Sequence, residues 1–311
     1  AYIRSSSGII DCTNIDIFDT SDLHLEALNT NPSGDVTLRY ISRLSITGNF
    51  NVGGIVNVLK TSTLTADNLT IAGSNDLNIY EGSTVVVEDR CTAPFIDMEG
   101  GTLTAVGSSA STDGDIYTQS LTADFGSMVS AKNDIAPSSG STYTEINLMD
   151  SKLVANRILN CGQCNLISSD LRSEDGIQFD ESQGFFQAFA SYIGLNGPIT
   201  QAGFTAANNG LFMQGSTLMS DSGVTFSYID LNASKLITSD SLTVNGVSGT
   251  TSELDLFLGS ELHCSSIRKT NTFDTNNFLR TRIQNGSTLH VSGQLGATTG
   301  DGPTLTANIE L

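Results

Sequence analysis

The pair in this 311-residue sequence with the clearest chemical potential is Cys161-Gly-Gln-Cys164. This spacing is found in redox pairs, in half of a zinc site and in turn-spanning disulfides. A redox pair needs a helix N-terminus to lower the thiol pKa, and these cysteines lie between the strand-like segments ILN and NLI. A zinc site needs a second ligand pair, which the sequence lacks. We therefore predict either a local disulfide between Cys161 and Cys164 or two ordinary thiols, and no metal site.

Carboxylate pairs could serve a polysaccharide hydrolase, which needs two acidic groups across a groove. The candidates are Asp113 with Asp115 and Asp180 with Glu181. Both pairs lie in apparent loops, so we interpret them as solvated turn residues. We therefore predict no catalytic residues.

Aromatic residues concentrate in the middle of the chain. Nine of the 21 Phe and Tyr residues fall between Phe179 and Tyr228. Most should fill the core, but Phe185 and Phe186 are adjacent, so in an extended chain they face opposite ways. Exposed aromatic rings can stack on sugars or contact another protein. We predict Phe185, Phe186 and Tyr192 as ligand-binding residues.

Three sequons, at Asn68, Asn232 and Asn285, would be N-glycosylation sites if the source is a secreting eukaryote.

A recurring phrase, Ser-x-Leu-x-small, must position all of these groups. It occurs thirteen times, every 18 to 27 residues, with Ser two residues before the centre in all copies but one, where Gly101 stands. The centres are Leu23, Leu44, Leu64, Val85, Leu103, Val129, Leu153, Leu171, Ile193, Leu218, Leu236, Leu262 and Leu289. A period near 22 residues is that of a solenoid turn.

Each phrase alternates polar and apolar residues, which predicts a strand with one buried face. The turn that begins at Leu64 contains three such alternating pairs separated by corners, so each turn should have three short strands. The sequence thus predicts an all-β parallel β-helix (β-solenoid) of about 13 rungs, as a single domain over residues 1–311. His24, His263 and His290 each follow a centre directly, so they should face solvent, with His263 and His290 on adjacent rungs.

Composition limits the partners. The net charge of −19 argues against nucleic acid and anionic membrane surfaces. The sequence contains no run of 18 apolar residues, so we predict no membrane-spanning segment. We predict no cofactor. Because neither end of the chain carries a blocking element, we expect the rod to continue into flanking domains or to stack end to end or laterally with copies of itself.

The rungs GSTVVV, GGTLTA, GSTLMS and GSTLHV resemble those of right-handed parallel β-helices, nearest to filamentous-haemagglutinin-type and autotransporter-passenger adhesins. The resemblance covers residues 21–291. It implies a non-enzymatic structural or adhesive rod, extracellular or at the cell surface, with other surface proteins or glycans as partners. Pectin-lyase-like enzymes share this fold, which leaves a polysaccharide-binding or polysaccharide-degrading β-helix (lyase, hydrolase or phage tailspike) as the alternative. The sequence has neither the Asn-Thr-Asp, Gly-His-Gly and Arg-Ile-Lys elements of polygalacturonases nor the Arg-x-Pro-x-x-Arg element of pectate lyases.

Overall fold

The protein is an all-β parallel β-solenoid, as the repeat predicts. The computed structural model describes residues 2–5, 14–25, 34–107, 113–180, 184–201, 210–245, 252–270, 279–293 and 308–310. Over these residues there are 33 strands and no helix. The strands pair in parallel with the equivalent strands of the neighbouring turns.

The chain forms two compact units, Ala1–Arg157 and Ile158–Leu311. The prediction of one domain over residues 1–311 stays a prediction. The strands of the first unit are β1 (Tyr2–Ser5), β2 (Ile15–Ile17), β3 (Asp22–Leu25), β4 (Val36–Leu38), β5 (Arg43–Val52), β6 (Val56–Val58), β7 (Thr63–Ile71), β8 (Asp76–Tyr80), β9 (Thr84–Thr92), β10 (Phe95–Glu99), β11 (Thr102–Ala105), β12 (Asp115–Tyr117), β13 (Ser120–Asp124), β14 (Met128–Ala136) and β15 (Thr144–Met149). The boundary falls within β16 (Lys152–Ile167).

The second unit is built in the same way. Its strands are β17 (Asp170–Ser173), β18 (Ile177–Phe179), β19 (Phe185–Phe189), β20 (Tyr192–Leu195), β21 (Ile199–Gln201), β22 (Gly210–Gln214), β23 (Thr217–Ser220), β24 (Val224–Phe226), β25 (Tyr228–Asn232), β26 (Lys235–Thr238), β27 (Ser241–Asn245), β28 (Ser252–Phe257), β29 (Glu261–Cys264), β30 (Ser266–Thr270), β31 (Leu279–Ile283), β32 (Thr288–Val291) and β33 (Asn308–Glu310).

The predicted repeat centres stack in register within each unit. The first unit pairs Leu23, Leu44, Leu64, Val85, Leu103 and Val129 in series, and the second pairs Leu171, Ile193, Leu218, Leu236, Leu262 and Leu289. The turns number about 10, fewer than the thirteen phrases. The turns that begin at the phrases of Leu23 and Leu289 are described only in part, because residues outside the described part of the chain follow each phrase closely.

The core is the interior of the solenoid, because alternate side chains of each strand point inward. On β7, Leu64 and Ala66 are buried, whereas Thr63 and Thr65 are half-buried. Burying a Leu side chain contributes roughly 1.5–3 kcal/mol, and stacking repeats that contribution at every turn.

A ladder of serines, buried except for the half-buried Ser287, explains why Ser recurs in the phrase. In the second unit the backbone N–H of each phrase serine donates to the hydroxyl of the next, with N–Oγ distances of 3.0 to 3.2 Å. We call this set the serine ladder: Ser169, Ser191, Ser216, Ser234, Ser260 and Ser287. Each hydroxyl in turn donates to a nearby carbonyl, as Ser216 does to Gln214 at 3.0 Å. The side chain thus satisfies a buried N–H where the corner interrupts strand pairing.

Gly101 breaks the serine rule for a steric reason. A Cβ at Gly101 would lie 2.4 Å from the carbonyl oxygen of Ile79 and 2.7 Å from its Cγ2. The approach of the backbone at this corner therefore excludes any side chain.

Candidate ligand-binding face

Three aromatic rings lie side by side on the outer face of the second unit. Phe185 of β19, Phe212 of β22 and Tyr228 of β25 are half-buried at outward strand positions. Their ring centroids are separated by 5.1 Å between Phe185 and Phe212 and by 5.1 Å between Phe212 and Tyr228. We call these three side chains the aromatic row.

A glycine makes the aromatic row continuous. Gly210 pairs in register with both Phe185 and Tyr228, so a side chain there would separate the two rings. A Cβ at Gly210 would lie 2.5 Å from Cε2 of Phe212, which shows that the Phe212 ring covers this position. The absence of a side chain at Gly210 therefore lets Phe212 bridge its two neighbours.

Charged residues adjoin the Tyr228 end of the row on β25, β28 and β31. Arg282 forks onto Asp255, with a distance of 2.7 Å from Nε to Oδ1 and a second bond from Nη2 to Oδ2. Asp255 is completely buried although it occupies an outward position. Glu253 lies 3.5 Å from both Arg280 and Arg282. The Asp255 carboxylate is therefore the partner of the guanidinium and does not face solvent.

Asp230 of β25 differs from the carboxylates of β28 because it forms no ion pair within the described residues. It pairs in register with Phe212 on one side and Asp255 on the other. Among the described residues, the ion pairs of this face join Arg280 and Arg282 to the two carboxylates of β28, and none reaches Asp230.

Burial and neighbouring negative charges together raise the pKa values of Asp230 and Tyr228. Burial, with the charge of Asp255 added to it, raises the pKa of Asp230, against the smaller opposing effect of Arg282. Burial raises the pKa of Tyr228 to about 12, and the three carboxylates Asp230, Asp255 and Glu253 add to the shift. A half-buried carboxylate thus lies beside an aromatic surface with its charge incompletely compensated.

The structure places only one of the three predicted ligand-binding residues in this row. Phe185 belongs to it. The prediction for Phe186 was wrong, because its side chain is 0% exposed and packs in the core, with its ring centroid 5.8 Å from that of Phe179. Inward and outward positions alternate, so the choice between adjacent Phe185 and Phe186 was fixed by register.

Tyr192 lies on a different side of the rung, on β20, and is 39% exposed. Its ring covers Gly194, where a Cβ would lie 3.1 Å from Cε1 of the tyrosine. Its hydroxyl donates to Sδ of Met219 at 3.7 Å, and the Arg172 guanidinium lies 5.6 Å from its ring centroid. The structure therefore does not bring Tyr192 together with Phe185, and its role as a ligand-binding residue stays a prediction.

Sequence reasoning missed Phe212 and Tyr228 as members of the row. Phe185 and Tyr228 both lie eight residues before a repeat centre, at 193 and 236, and Phe212 lies six before the centre at 218. Counting back from the centres would have placed all three on one side of the rung.

Cys161 and Cys164 are buried free thiols, so the disulfide alternative was wrong and two ordinary thiols are present. Burial raises the pKa of Cys164 well above its usual value, and a hydrogen bond with Cys161 adds to the shift. Thiols in this environment are poor nucleophiles. Cys264 is also buried, as its inward position predicts.

The remaining predicted sites are dispersed. Asn68 and Asn232 are half-buried strand residues, and Asn285 is exposed at a corner with φ 56°. Glycosylation of these residues stays a prediction. His263 and His290 are paired on adjacent rungs as predicted, with ring centroids 5.4 Å apart. The described residues contain no group of three His, Cys, Asp or Glu side chains that could hold a metal ion.

The predicted solvated turn at Asp113 and Asp115 was wrong for Asp115. This residue is in strand β12 and only 3% exposed, and its carboxylate accepts hydrogen bonds from the Asp134 N–H at 3.1 Å and the Tyr117 hydroxyl at 3.2 Å. Asp180 directly follows β18, while Glu181 lies outside the described residues.

Comparison of the chain with protein families, curated proteins and solved structures finds no match. Within the described residues, no helix has the length and apolar character needed to cross a bilayer.

Proposed function

We propose that this β-solenoid is a non-enzymatic, extracellular adhesive or structural protein that binds saccharides on its aromatic row. The observation that carries the proposal is the contiguity of Phe185, Phe212 and Tyr228 on the outer face. Aromatic rings offer a flat apolar surface to the C–H face of a sugar, and neighbouring carboxylates and guanidiniums accept from or donate to its hydroxyls.

Binding is favoured over hydrolysis by the state of the carboxylates. A glycosidase needs two carboxyl groups that both reach the scissile bond. Asp255 is fully buried and held by Arg282, and Glu253 is shared between two arginines. With Asp255 and Glu253 held in ion pairs, Asp230 is the one carboxylate of this described face that is not, and a single carboxylate does not supply both an acid and a base.

The extracellular location rests on the resemblance of the rungs to surface β-helices. Other surface proteins, or copies of this chain stacked end to end or laterally, are further partners that we propose on the same ground. Electron microscopy of the purified protein tests self-assembly, because strictly monomeric particles at high concentration would contradict it.

A glycan array followed by calorimetry of the best ligand tests saccharide binding. We expect Phe212→Ala to weaken binding about tenfold or more, since it removes the central ring. Phe189→Ala is the matched control, because Phe189 is 39% exposed and lies outside the row. Equal affinity of the two variants, or no glycan binding by the wild type, would contradict the proposal. Reducing-sugar release from a panel of polysaccharides would instead support the hydrolase alternative.

A further inference from the structure

The chemistry at the Tyr228 end of the aromatic row narrows the class of saccharide. Three carboxylates occupy outward positions beside these rings: Asp230 on β25, the strand of Tyr228, and Glu253 and Asp255 on the next strand, β28. Arg280 and Arg282 lie one strand further on and are paired with the two carboxylates of β28. In register, Asp230 is therefore one strand from Phe212, whereas Arg282 is three strands from it.

We propose that the aromatic row binds a saccharide bearing a protonated amino group, with the sugar ring on Phe212 and Tyr228 and the ammonium group against Asp230. This inference rests on the proposed function and specifies its ligand. An ammonium group would supply the cationic partner that Asp230 lacks among the described residues. It would also be attracted to the negative face of the adjacent aromatic rings.

Charge argues against the other saccharide classes. A uronic acid would bring a carboxylate to a face with three carboxylates and two already paired guanidiniums, on a chain of net charge −19. A neutral sugar could stack on the rings and donate hydroxyl hydrogens to Asp230, but it would leave the charge uncompensated. Burial is the largest cause of the raised pKa values of Asp230 and Tyr228, and the neighbouring carboxylates add to both shifts, in line with the excess of negative charge.

The test compares three β-1,4-linked oligosaccharides of equal length, built from glucosamine, N-acetylglucosamine or glucose, which differ at the 2-position of each ring. We expect the glucosamine oligomer to bind about tenfold more tightly than the other two at low ionic strength and at a mildly acidic pH, where its amino groups are protonated. We expect this preference to shrink as salt is added, because salt screens an ion pair that is not fully buried.

Two variants and one control separate the contributions. Asp230→Asn keeps the side-chain shape and should abolish the preference for glucosamine, whereas Phe212→Ala should weaken all three ligands. Asp221→Asn changes the net charge equally at an exposed corner and should leave the preference intact. Folding of each variant is checked by circular dichroism.

The outcomes distinguish this inference from the proposed function. Saccharide binding with no preference for the amino form, or a preference that survives Asp230→Asn, would overturn the inference and leave saccharide binding standing. No binding of any oligomer, or of any glycan on the array, would overturn both.

Discussion

Removal of one hydroxyl from the serine ladder should destabilise the second unit strongly. Ser216 is 2% exposed, and its Oγ accepts from the N–H of Ser191 at 3.0 Å while donating to the carbonyl of Gln214. Ser216→Ala leaves the Ser191 N–H buried without its acceptor, which costs about 1–3 kcal/mol. Loss of the bond to Gln214 adds about 0.5–1.5 kcal/mol, so we expect a total loss of about 1.5–4.5 kcal/mol.

Urea denaturation and amide hydrogen exchange measure this effect at two levels. The midpoint should fall, and exchange of the Ser191 amide should accelerate more than that of amides several rungs away. Thr217→Val is the matched control, because it also removes a hydroxyl, but from the outward face one residue further on. We expect that control to lie within about 0.5 kcal/mol of wild type.

The reasoning would be refuted if Ser216→Ala and Thr217→Val had the same stability, or if the Ser191 amide stayed fully protected in Ser216→Ala. Either result would mean that the buried N–H finds another acceptor and that the ladder does not explain the recurrence of serine.

Three further predictions concern packing and charge. Gly101→Ala should cost roughly 1–3 kcal/mol in urea denaturation, because its Cβ would lie 2.4 Å from a backbone oxygen; unchanged stability would show that this corner relaxes freely. Arg282→Ala should cost about 3 kcal/mol or more, because it leaves the buried carboxylate of Asp255 without its cationic partner. Removal of the more exposed Arg280 should cost about 1 kcal/mol or less. Similar losses in the two variants would contradict the assignment of Arg282 as the partner of Asp255. Burial and like charges raise the pKa of Asp124 above its ordinary value of 3.8. The contribution of this carboxyl group to the stability of the fold therefore falls as the pH rises from 3.8 through the raised pKa. Asp124→Asn should therefore be more stable than wild type by roughly 0.2–1 kcal/mol at neutral pH, with the difference vanishing below about pH 4; a difference that persists in acid would exclude the electrostatic cause.

Much of the fold was predictable because a solenoid is specified locally. The alternation around each centre requires only neighbours in sequence, so Leu64 could be assigned inward and His263 outward without a structure. The serine positions were predictable as corners, but their role was not. A hydroxyl at one corner serves the backbone of the previous turn, 18 to 27 residues away.

The candidate face could be predicted only in part. The aromatic cluster pointed to the correct region, and the adjacency of Phe185 and Phe186 showed that one ring faces outward. Which one does so depends on the register of β19 against its neighbouring strands, and the sequence alone left that open. The bridging of Phe185 and Tyr228 by Phe212 further depends on the empty position at Gly210.

The sequence by itself determined that the chain repeats, that its strands bury one face and that its phrase stacks on itself. These properties follow from side-chain alternation, which is local. The tertiary structure alone decided which outward residues of successive turns become neighbours, such as Arg282 and Asp255, which are 27 residues apart. The physical reason is that corners of different lengths set the register between turns, and a shift of one residue moves every side chain to the opposite face.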